Sequence, residues 1–174
     1  MVLGLELPQL MAVGVGGLAS WFDVRTRHIP NAVTLGGALV AVAYALGVGG
    51  APMLLTCVEG WATGLALFLP FYLLRGMGAG DVKLLACLGA WLGPGAALWT
   101  ALYASIAGGV MAVVVGLASG YLTEALLNVH LLLAHWWVSG PRPLAAVTLE
   151  HGRGPRLPYA LPIAAGAVAA IWLR

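Results

Sequence analysis

Two aspartates, Asp23 and Asp81, stand at the edges of apolar stretches, each beside basic residues. An ionisable side chain is expensive to place in hydrocarbon, so its presence there marks a candidate functional site. Two carboxylates brought together can share one proton and activate a water for peptide hydrolysis. Asp23 lies in Trp21-Phe22-Asp23-Val24-Arg25-Thr26-Arg27-His28-Ile29-Pro30-Asn31, and Asp81 in Arg75-Gly76-Met77-Gly78-Ala79-Gly80-Asp81-Val82-Lys83. Structural roles compete with chemistry at both positions. Asp23 ends a helix whose dipole it opposes, and Arg25 or Arg27 could neutralise it as a topological anchor. Asp81 could be the N-cap of the helix after it. Three alternating glycines exceed what a cap needs; they free the backbone for positive φ and for close approach to another chain. A glycine-rich loop before a helix can also cradle phosphate. Here a carboxylate, rather than a Lys-Ser/Thr pair, occupies the helix start.

The elements that must position these acids are set by composition. Of 174 residues, 61% are hydrophobic and 8% charged, against about 25% charge in soluble domains. Net charge is +2, and no basic run alternates with aromatics, so nucleic acid is not an expected partner. Cys57 and Cys87 lie inside apolar stretches without a CxxC pair, which argues against a zinc domain or disulfide. No metal site is expected, since His130 and His135 are five apart rather than the four that aligns ligands on a helix. With no basic residues before the first apolar stretch, that stretch is read as a retained span rather than a signal peptide.

Stretches near the roughly 20 residues needed to cross a bilayer run over 7–22, 32–48, 53–74, 82–92, 96–119 and 157–173. The fourth is short, which implies a helix that dips into the membrane or is shielded by its neighbours. Residues 121–138 read as a helix in the headgroup region, and 139–157 as a Pro-, Gly- and Arg-rich loop. The expected fold is an all-α polytopic membrane protein. It has about six transmembrane helices plus one cytoplasmic interfacial helix. Residues 1–174 would form a single membrane-embedded domain, with the interfacial helix and loop over about 120–156. Arg25, Arg27, Arg75, Lys83, Arg142, Arg153 and Arg156 fall in alternate loops, and Arg174 alone falls on the other side. The positive-inside rule then puts those loops in the cytoplasm. Asp23 and Asp81 share that face. Glu59 reads as a hydrogen-bonded packing residue, and the tryptophans mostly as interface anchors.

The Asp23–Asn31 segment resembles the first-aspartate segment of type IV prepilin peptidases. Gly76–Leu85 resembles their second segment, with its GxGD motif at Gly78-Ala79-Gly80-Asp81. Leu157-Pro158-Tyr159-Ala160-Leu161-Pro162 is similar to the family's proline-containing final helix. The resemblance implies an intramembrane aspartic endopeptidase of the inner membrane, multi-pass, working without cofactor. Asp23 and Asp81 would be the catalytic pair, Gly78 and Gly80 the supporting loop. From their charge, Lys83, Arg25 and Arg27 are expected to orient that loop or hold lipid headgroups. Its partners would be the lipid bilayer and the signal segment of a prepilin or pseudopilin, cut after a short basic leader. Larger family members carry a cytoplasmic domain with paired CxxC motifs and N-methyltransferase activity. The long loop between the first two spans is missing here, so the chain resembles the short form of tight-adherence pilus systems or an archaeal preflagellin peptidase, the Pro158-Tyr159 segment being closer to the bacterial form, and methylation is not expected. Two alternatives stay open: a proton-coupled transporter with the aspartates as relay groups, and a scaffold in which they are cap and anchor. Whether the chain forms a homo-oligomer is also open.

Overall fold

Inside lipid each backbone N–H and C=O must be satisfied by the segment itself or by a closed barrel, and this chain takes the helical solution. The computed structural model describes residues 6–140 and 157–173. They form α1 (Leu7–Thr26), α2 (Asn31–Leu73), α3 (Ala79–Leu92), α4 (Pro94–Ala118), α5 (Leu122–Ser139) and α6 (Ala160–Trp172), with no strand among the described residues. The chain is an all-α membrane protein.

The 43 residues of α2 would extend about 64 Å if straight, twice the roughly 30 Å of bilayer hydrocarbon. The helix breaks at Gly50, where φ is 61° and ψ −150°, just before Pro52. The stretches read at 32–48 and 53–74 are therefore two limbs of one element. Its break falls within the glycine–proline segment that separates them. Leu35, Ala38 and Val42 from one limb and Val58 and Trp61 from the other line a groove of about 380 Å³.

Both limbs pack on α3, the short helix. Leu84, Leu85 and Leu88 are completely buried there, so α3 is shielded by its neighbours. The reason is close backbone approach. A Cβ on Gly60 of α2 would collide with the Gly89 carbonyl of α3, and one on Gly89 with the Gly60 carbonyl. Such small-residue seams hold membrane helices together where lipid removes the hydrophobic drive between them. Trp91 is a correction to the interface-anchor reading: it is buried. Its indole N–H donates to the Gly37 carbonyl at 3.1 Å, because a buried indole needs an acceptor.

The outer surface is apolar instead. Leu39, Val48 and Leu117 are each more than 60% exposed. Among the described residues α2 and α4 are long and apolar enough to cross a membrane, and their most apolar windows are only 11% and 22% buried. A core helix of a soluble protein shows the reverse. Glu59, expected as a packing residue, is exposed on α2. Its neighbour Gly60 holds the face turned to α3, and this rotates Glu59 outward.

α5 falls on the stretch 121–138 expected to be helical. Leu122 packs over Gly116 of α4, and Asn128 Nδ2 donates to Tyr121 Oη at 3.2 Å. Beyond that start, most of α5 is exposed, including His130. The loop read over 139–157 lies, apart from its ends, outside the described residues.

Candidate active site

The site is built at one end of the bundle, where α1 finishes and α3 and α6 begin. α1 ends because Arg27 turns into the left-handed region, φ 54° and ψ 28°. The Thr26 hydroxyl bridges the turn, at 2.8 Å from the Phe22 carbonyl and 3.0 Å from that of His28. Pro30, extended at φ −62° and ψ 138°, then starts α2 at Asn31. Here the two motif segments dock. Ile29 is buried and presses on Gly80, where an added Cβ would lie 3.2 Å from Ile29 Cβ. Lys83 Nζ donates to Asn31 Oδ1 at 3.0 Å.

Asp81 sits in the first turn of α3, which begins at Ala79 with Gly78 as N-cap. This corrects the N-cap reading of Asp81, since Ala79 and Gly80 are already helical. The carboxylate folds back over the turn toward Gly78. The glycines also act otherwise than expected. Neither Gly76, Gly78 nor Gly80 has positive φ; the residue with positive φ ahead of the motif is Arg75, at 57°. Gly78 instead gives room, since a Cβ there would sit 3.1 Å from Asp81 Oδ2. Gly80 gives room for Ile29.

Asp23 lies in the last turn of α1 and is only 8% exposed. Its Oδ2 accepts the Ala160 N–H at 3.1 Å. Ala160 is the first residue of α6, so the open N-terminus of one helix faces the acid that opposes the dipole of another. A hydrogen bond to a charged group contributes about 1.5–3 kcal/mol, and a favourable helix dipole about 0.3–1 kcal/mol. Together they offset the poor position of Asp23 on its own helix. Arg25 does not join this site; its guanidinium lies 4.0 Å over the Trp21 ring on the exposed side.

Asp23 and Asp81 are near enough for the charge of one to act on the other, although they come from α1 and α3. Sequence reasoning missed Ala160, Ile29 and Asn31 as site residues. Ile29 and Asn31 were visible in the segment after Asp23, but no local signal joins them to Gly80 and Lys83. Nothing in the chain announces that Ala160 meets Asp23.

Residues 10–113 match the type IV leader peptidase family. The chain is similar to a prepilin leader peptidase/N-methyltransferase of Neisseria gonorrhoeae, 34% identical over 107 residues. That match covers 58% of this chain and 37% of the relative's length. No solved structure matches the chain. With more than half of its length matched, and with both aspartate segments inside the matched region, the chain belongs to the type IV leader peptidase family.

Proposed function

We propose that this chain is an intramembrane aspartic endopeptidase that removes the short basic leader from type IV prepilin-like or pseudopilin substrates. The observation that carries the reading is the convergence of Asp23 and Asp81 at one end of the bundle, within range of each other's charge. Family membership supports it. One carboxylate, ionised, takes a proton from the attacking water; the other, protonated, donates to the scissile carbonyl oxygen. The tetrahedral species then collapses, and the leaving amine takes a proton back from the pair. Water is divided between a new carboxylate on the leader and a new amine on the mature chain. The reaction needs no covalent intermediate.

Orientation follows from charge. Arg25, Arg27, Arg75 and Lys83 cluster at the aspartate end, so the positive-inside rule assigns that end to the cytoplasm in a multi-pass inner-membrane protein. A basic leader waits on the same side. We read residues 1–174 as one peptidase domain. The direct passage from Asp23 to Asn31 favours the short, tight-adherence form, acting without methylation. The transporter alternative loses its one mid-span group, because Glu59 is exposed on α2 and offers no relay step toward the aspartates.

Co-expression with candidate prepilins, followed by mass measurement of their N-termini, tests the reading. Cleavage after the leader is expected from the wild type. Asp23→Asn and Asp81→Asn should each lower its rate by about 10²–10⁴-fold while leaving the protein inserted. Normal kinetics in either variant would remove the pair from the mechanism.

A further inference from the structure

The N–H that holds Asp23 belongs to the first residue of α6, so whatever seats that helix start also sets the angle of the carboxylate. Tyr159 immediately precedes it, with φ −71° and ψ −15°. Its ring meets Phe68 of α2 edge-on, with centroids 6.3 Å apart and planes at 65°. On α4 it lies over Gly108, where a Cβ would stand 2.6 Å from both Tyr159 Oη and Cε2. No residue larger than glycine fits beneath the ring as it lies. The rest of α6 is seated elsewhere, since Gly166 packs on the Thr100 carbonyl and Ala104 of α4. Tyr159 thus directly precedes the residue whose N–H is bonded to Asp23.

We propose that Tyr159 is a positioning residue. Its ring is a wedge in a slot made by Gly108, and it aims the Ala160 N–H at Asp23. The inference rests on the leader-peptidase reading. The wedge acts through the α6 start, so its loss misaligns one carboxylate without unseating the helix. Small misplacements of a catalytic group cost up to about 10²-fold in rate.

The test is steady-state cleavage of a prepilin-like peptide by purified, membrane-reconstituted protein. Gly108→Ala and Tyr159→Leu should each lower kcat by about 10–100-fold with KM changed by less than about twofold. The pH profile of kcat should move in both, since the Asp23 hydrogen bond is disturbed. Tyr159→Phe keeps the ring and should restore most of kcat. The double variant Gly108→Ala/Tyr159→Leu should be no worse than the weaker single, because slot and wedge form one unit. Wild-type kcat in both single variants overturns the wedge, as do additive losses with an unmoved pH profile. A Gly108→Ala protein that fails to accumulate overturns it too, in favour of a role in assembly. Asp23→Asn separates the two levels. If that variant cuts normally, the peptidase reading itself falls. If it is inactive while Gly108→Ala and Tyr159→Leu match the wild type, only the wedge is wrong.

Discussion

α3 and α5 are of similar average hydrophobicity, yet they lie in opposite surroundings. From Leu84 to Trp91 every residue of α3 is buried, whereas α5 exposes Leu126, Leu127, Leu131 and Leu133 by more than half. Hydropathy does not separate them; shape does. α3 carries Gly89 opposite Gly60 of α2, and Gly64 lies on the Leu85 carbonyl. α5 contains no glycine and presents bulky leucines with Glu124, His130 and His135 among them. A leucine face gains little by leaving lipid for protein, while facing glycines let two backbones approach and gain dispersion contacts. The contrast bears on the proposed function, because Asp81 rides on the buried helix.

The most forceful way to break this comparison is to fill the seam. Gly60→Val puts a branched side chain against the Gly89 backbone and should destabilise the bundle by about 3 kcal/mol or more, read as reversible unfolding in mixed micelles. A stable Gly60→Val protein would mean that apolar character, not close approach, holds α3. A smaller effect is expected at the aspartate end, where Lys83→Met removes the exposed bond to Asn31. The expected loss is about 0.5–1 kcal/mol, with a modest fall in cleavage rate because α3 is tied less firmly to the start of α2. The smallest belongs to α5: Leu127→Ala should stay within about 0.5 kcal/mol of the wild type. A loss as large as that of Gly60→Val would place α5 in a packed interface.

Strain gathers at the aspartate end. Both helices leading into the aspartate segments turn at an arginine with positive φ, Arg27 and Arg75, a conformation that costs a non-glycine residue about 1–2 kcal/mol. Strained backbone of this kind persists where surrounding contacts over-determine it. The Thr26 bridge and the Ile29–Gly80 contact are such contacts beside Arg27.

Several features were legible along the chain. Glycine and proline at 49–52 mark the break in α2. The shortness of the stretch after Asp81 foretells a shielded helix. The acids that could do chemistry stand out because carboxylates are rare in this composition. Other features were not legible. Gly78 and Gly80 suggested unusual dihedrals but supply clearance instead, and a missing side chain reads the same for either purpose. Glu59 and Trp91 exchanged the surroundings expected of them, because helix rotation is set by which glycine finds a partner.

By itself the sequence determined where helices begin and break and which residues carry charge, since those depend on each segment's own backbone preferences and on its transfer into lipid. Tertiary structure alone decided that the Ala160 N–H meets Asp23 across 137 positions of sequence and that Ile29 closes on Gly80. In lipid, helices select partners by steric fit between surfaces, and the fit of two surfaces is a property that neither segment carries alone.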